Sequence, residues 1–70
     1  MMKYESRSTE DFVRLKEGDS IEYKVPGTGV VTTDRVCRLE EVQNELYAVI
    51  YKDMGFRFIP FKNINKVYIY

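Results

Sequence analysis

Cys37 is the single cysteine of this chain, and the chain contains no histidine. The side chains best suited to nucleophilic or general-base chemistry near neutral pH are therefore reduced to one thiol, with no evident partner to lower its pKa. Its position after Val36 and before Leu39 suits a small apolar side chain in a strand better than a nucleophile. Two carboxylate pairs, Glu10-Asp11 and Glu40-Glu41, have the residue types of an acid–base couple, but they fall at a helix start and in a loop, where solvated charge is the better account. Gly27-Thr28-Gly29 would cradle a phosphate only if its glycines opened a helix, and the following Val30-Val31-Thr32-Thr33 is strand-like. One cysteine without histidine leaves almost no zinc arrangement. We expect no catalytic residues, no metal and no cofactor.

The chemistry that remains is binding. Six tyrosines and four phenylalanines are present. The alternation of the strands places Tyr23, Phe56 and Phe58 on inner faces, and Tyr47, Tyr51, Tyr68 and Tyr70 on faces opposite the clearest apolar stripes. Tyrosines exposed on a rigid sheet offer large contact area at low entropy cost, to protein partners and to stacked bases alike. The plainer alternative packs them against an N-terminal helix. Arg35, Arg38, Lys52, Arg57, Lys62 and Lys66 would form a nucleic-acid surface if they gathered on one side with Tyr51 and Tyr68 between them. Glu40, Glu41, Glu45 and Asp53 are spread through the same region and favour a scattered, solvated surface instead.

The elements that must position these residues are organised around Gly18-Asp19-Ser20-Ile21-Glu22-Tyr23-Lys24-Val25-Pro26-Gly27. Ile21, Tyr23 and Val25 recur at period two between polar residues, which predicts a first strand over 20–25 with one buried face. Proline presets φ at the second position of a turn and glycine accepts positive φ at the third, so Pro26-Gly27 reverses the chain. A second strand over 29–39 carries apolar residues on both faces, which predicts a long strand that bends and changes its buried face, with Thr32-Thr33-Asp34 as the bend. Residues 40–45 read as a polar hairpin connection. A third strand follows over 46–52, then a reversal at Asp53-Met54-Gly55 with Gly55 taking positive φ, and a fourth strand over 56–59 ended by Pro60. Phe61-Lys62-Asn63-Ile64 suits one 3₁₀ turn, and a fifth strand closes the chain over 66–70.

Upstream, Ser8-Thr9-Glu10-Asp11 has the composition of a helix start, with Phe12 and Leu15 on one face. A short helix is expected over 8–17, after a flexible end at 1–7 that could add a strand to an edge. The expected fold is mainly β: one domain, with a five-stranded, strongly bent antiparallel barrel over 19–70.

This rhythm resembles the SH3-like small barrels. Gly18-Asp19, then Ile21, Tyr23 and Val25-Pro26-Gly27-Thr28-Gly29-Val30-Val31, then Glu45-Leu46-Tyr47 and Phe58-Ile59-Pro60, are similar to the RNA-polymerase-interacting domain of the CarD and transcription-repair coupling factor group. That resemblance implies a transcription-associated module with RNA polymerase as a candidate partner. That family's helical second domain has no counterpart among these seventy residues. Ile59-Pro60-Phe61-Lys62-Asn63-Ile64-Asn65-Lys66-Val67 is similar instead to the closing segment of Sm-like RNA-binding rings, although the paired Asp and Asn that hold bases in those rings are not recognisable around Thr33-Asp34.

Seventy residues, 44% hydrophobic and 31% charged, fit a small globular domain near the lower limit for a core without staples. Eleven basic residues balance eleven acidic ones, so no net field draws the chain toward nucleic acid or acidic lipid. The sequence shows neither a signal peptide nor an apolar run long enough to span a membrane, and a cytoplasmic location is expected. The function expected is therefore non-enzymatic binding of a protein partner. A Sm-like or KOW-like nucleic-acid binder and a small inhibitor of a host enzyme are the alternatives, and self-pairing could run through the C-terminal strand Tyr68-Ile69-Tyr70.

Overall fold

A computed structural model describes residues 4–6 and 12–69. The chain runs β1 (Tyr4–Ser6), β2 (Ser20–Lys24), β3 (Val31–Arg35), β4 (Arg38–Val42), β5 (Glu45–Lys52), β6 (Gly55–Pro60), one 3₁₀ turn η1 (Phe61–Asn63) and β7 (Ile64–Ile69). All pairings are antiparallel and build two sheets, one in the order β1-β7-β2-β3 and the other in the order β4-β5-β6. The fold is mainly β, as the alternation requires.

The core lies between the sheets. Ile21 and Tyr23 of β2, with Ile64, Val67 and Ile69 of β7, face Ala48 and Ile50 of β5 and Ile59 of β6. Phe12 and Leu15 complete it from the N-terminal side, and the Phe12 ring meets Phe61 edge-on at 4.8 Å. Each such side chain contributes roughly 1.5–3 kcal/mol by leaving water.

Pro26-Gly27 makes the expected turn: Gly27 has φ 82°, and the Thr28 N–H donates to the Val25 carbonyl at 3.0 Å. The expected second strand is two strands. Its buried face changes at Val36-Cys37, not at Thr32-Thr33-Asp34. The reason is a change of hydrogen-bonding partner: the Val36 N–H donates to the Asp19 carbonyl (2.7 Å) and the Gly18 N–H to the Val36 carbonyl (3.1 Å). One residue later the Cys37 N–H donates to the Val49 carbonyl of the other sheet (2.8 Å). Because β3 and β4 belong to different sheets, the strand ladder does not run on around the molecule and the barrel is not closed.

The 40–45 connection shrinks to Gln43-Asn44, both at positive φ, with β4 extending to Val42. At the next hairpin it is Asp53 (φ 55°) and Met54 (φ 64°) that adopt positive φ, while Gly55 already pairs with Lys52. Two left-handed residues give the hairpin a twist that matches the strands, so the turn consumes two residues and leaves the third to the ladder.

The 3₁₀ turn before the last strand is present. Of the helix expected over 8–17, residues 8–11 lie outside the described residues; beyond them only Phe12 is helical, and the chain turns at 13–14, where the Leu15 N–H donates to the Phe12 carbonyl at 3.1 Å, and again at 17–18. Lys16 and Asp19 make the next turn, and the Asp19 carboxylate accepts the Lys16 N–H at 3.1 Å. With Asp19 and Gly18 tied to Val36, a helix has no room to continue. The C-terminal strand is not an open edge, since β7 is flanked by β1 and β2; pairing between chains through Tyr68-Ile69 would first have to displace β1.

Candidate binding face on the second sheet

β5 alternates inward Leu46, Ala48, Ile50 and Lys52 with outward Glu45, Tyr47, Val49 and Tyr51. The two-residue turn at Asp53-Met54 sets the register of β6, pairing Tyr51 with Phe56, Val49 with Phe58 and Tyr47 with Pro60. Residues opposite one another share a face. Phe56 and Phe58, expected inside, therefore stand on the outer face at 58% and 43% exposure, and Arg57 and Ile59 turn inward.

Across the outer face the aromatic rings interlock. Tyr51 meets Phe56 edge-on at 5.2 Å, Tyr47 meets Phe58 edge-on at 6.2 Å, and the Arg38 guanidinium lies 5.4 Å from the centre of the Phe56 ring. Edge-to-face pairs contribute about 0.5–1.5 kcal/mol each beyond area burial, and an exposed cation–π contact about 0.5–1 kcal/mol. Val49 is the floor of this layer. It points away from the core, between Arg38 and Phe58 in register, yet it is 0% exposed. Tyr51 at 57%, Val42 at 47% and, at the hairpin tip, Met54 at 91% extend the apolar surface beyond the rings. Its charges are few: Arg38, whose Nε–H donates to Glu40 at 2.8 Å, with Glu40 and Glu45 on the strands and Asp53 at the turn.

Of the residues singled out in the sequence, Tyr47, Tyr51 and Arg38 meet on this face. Lys52 and Arg57 do not. They point between the sheets, where the Tyr23 hydroxyl donates to Asp34 Oδ2 (2.7 Å), Arg57 donates to the Tyr23 hydroxyl (3.1 Å) and Lys52 Nζ donates to the same Asp34 oxygen (3.1 Å). Burial, and then the hydrogen bond that the phenol donates to the Asp34 carboxylate, hold the Tyr23 phenol above its ordinary pKa; the hydrogen bond from Arg57 pulls the other way. The network clamps β2 and β3 to β5 and β6. Arg35 is exposed at the end of β3, Lys66 lies opposite Glu22, Lys62 is exposed in η1, and Tyr68 is half-buried opposite Ser20. Tyr70 lies outside the described residues. The six cations thus occupy several sides of the molecule.

No family model, curated protein or solved structure matches this chain. Among the described residues there is no group of three or more cysteine, aspartate or glutamate side chains placed to hold a metal ion, and no helix is long and apolar enough to cross a membrane.

Phe56 and Phe58 were missed because hydrophobicity alone sends phenylalanine inward. The available signal was register: once Tyr51 faces out and the turn takes two residues, Phe56 and Phe58 must follow it.

Proposed function

We propose that this chain is a non-enzymatic, SH3-like protein-docking module that binds through the outer face of β4-β5-β6. The observation that carries the proposal is the fully covered Val49 beneath a layer of half-exposed rings. Outward rings there are held against one another and cover Val49, and side chains already held in place lose less entropy when a partner binds. Its one cation, Arg38, is engaged by Glu40, and Glu45 and Asp53 leave the rim acidic. That charge favours a protein surface with an apolar centre bordered by lysine or arginine, and opposes a phosphate backbone. RNA polymerase is a candidate partner by the resemblance to CarD-type domains, and a host enzyme held by a small inhibitor would use the same face.

The test is affinity capture on the immobilised chain from lysate of its native host, with and without nuclease, compared with the Tyr51→Ala, Phe56→Ala double variant. A protein retained by the wild type at moderate salt and lost from the double variant is the expected result. Equal retention by both, or retention that disappears with nuclease, would overturn the proposal.

A further inference from the structure

β7 carries one more residue than its partner strand where it leaves the 3₁₀ turn. Glu22 faces Lys66 and Tyr23 faces Ile64, so Asn65 has no partner in β2 and the ladder bulges there. A bulge takes a side chain off the alternating pattern and re-aims it. Beside this bulge lies an open depression of about 260 Å³ lined by Lys24, Lys62, Asn63 and Asn65. Its position is fixed by the Asn63 amide, which donates to the Lys24 carbonyl at 3.0 Å and ties the end of β2 to η1.

The lining residues are two lysines and two asparagines, with no aspartate or glutamate among them. Neither Lys24 nor Lys62 has an ion-pair partner among the described residues. Two like charges at one depression repel each other, and an anion placed between them offsets that repulsion while accepting their hydrogen bonds. The carboxamides add neutral donors from other directions. A tetrahedral, multiply charged oxyanion accepts hydrogen bonds from all these directions; a planar carboxylate accepts mainly in its own plane.

We propose that this depression binds a phosphate group, carried by a free phosphate or nucleoside monophosphate or by the backbone of a single-stranded nucleic acid. The site is built from β2, η1 and β7, away from the rings of the docking face, and Lys62 also borders a second depression with Asn44, Glu45 and Leu46 at the start of β5.

The experiment is a titration of the ¹⁵N-labelled full chain at low salt with sodium phosphate, adenosine monophosphate and a short oligothymidylate in turn, followed by amide chemical shifts. At least one probe shifts Lys24, Lys62, Asn63 and Asn65 together. The Lys24→Gln, Lys62→Gln double variant weakens that probe by about tenfold or more, while Arg35→Gln, which removes an exposed cation elsewhere, leaves it unchanged. Both lysines are exposed, so the thermal midpoint of the double variant stays at the wild-type value and separates lost binding from lost fold. Binding of the two small probes alone assigns the site to a free phosphate. Tighter binding of the oligonucleotide, with a salt dependence that lessens by about one counterion per lysine removed, assigns it to a nucleic-acid backbone. The proposal is overturned if no probe moves these amides, or if the double variant binds as well as the wild type.

Discussion

The phenol of Tyr23 is fully buried, donates to Asp34 and accepts from Arg57. Removing its oxygen as Tyr23→Phe leaves the ring in the core but strips Arg57 of an acceptor and Asp34 of a donor. The expected loss is about 1–2 kcal/mol in urea unfolding. The same group sets an alkaline limit. Below its ordinary value of 10.0 the phenol is protonated in both folded and unfolded chains and its contribution is complete. As pH rises past that value the unfolded chain loses the proton first, so stability falls progressively until the raised folded value is passed. Urea midpoints measured from neutral to strongly alkaline pH should show this decline in the wild type and a smaller one in Tyr23→Phe. The Tyr23 to Asp34 bond was not legible in the sequence. Alternation placed Tyr23 inside, but eleven residues separate it from Asp34, and nothing local distinguishes an aspartate that closes a network from one that faces water.

At the scale of elements, the hairpins decide which side chains are presented. Asp53 and Met54 both hold positive φ, a conformation that costs a non-glycine residue on the order of 1 kcal/mol or more. Met54 is almost wholly exposed, so Met54→Gly relieves strain without opening a cavity. We expect a gain of about 0.5–1 kcal/mol and a thermal midpoint several degrees higher by calorimetry. Strand periodicity and the Pro26-Gly27 turn were legible because each is written in a few adjacent residues. The face adopted by β6 was not, because Phe56 and Phe58 alternate with Arg57 and Ile59 and either set is apolar enough to be chosen; the turn upstream makes the choice. The bend at Val36-Cys37 was similarly hidden, since it depends on Asp19 and Val49, both distant in sequence.

For the molecule as a whole, the two sheets are held together by the core, by the Tyr23 network and by a joint at Asp19. That aspartate is 1% exposed; its carboxylate accepts the Lys16 N–H at 3.1 Å and an ammonium hydrogen of Lys16 at 3.3 Å, and its carbonyl receives Val36 where the chain passes between sheets. Asp19→Ala removes the acceptor from the Lys16 N–H and should cost about 1–3 kcal/mol in urea unfolding, with Asp19→Asn recovering part of the loss. The mainly β class followed from alternation. Closure did not, because it depends on whether the chain keeps one ladder or exchanges it for another at a single residue pair. The same exchange frees the outer face of β4-β5-β6 to stand apart with its rings exposed.

The most direct measurement of the docking proposal is an amide chemical-shift footprint of the ¹⁵N-labelled chain with its captured protein partner. The account predicts perturbations on β4, along 47–51 of β5 and at Phe56 and Phe58, with β2 and β3 unmoved. A footprint confined to β2, β3 and β7 that leaves Tyr51, Phe56 and Phe58 unshifted would contradict it.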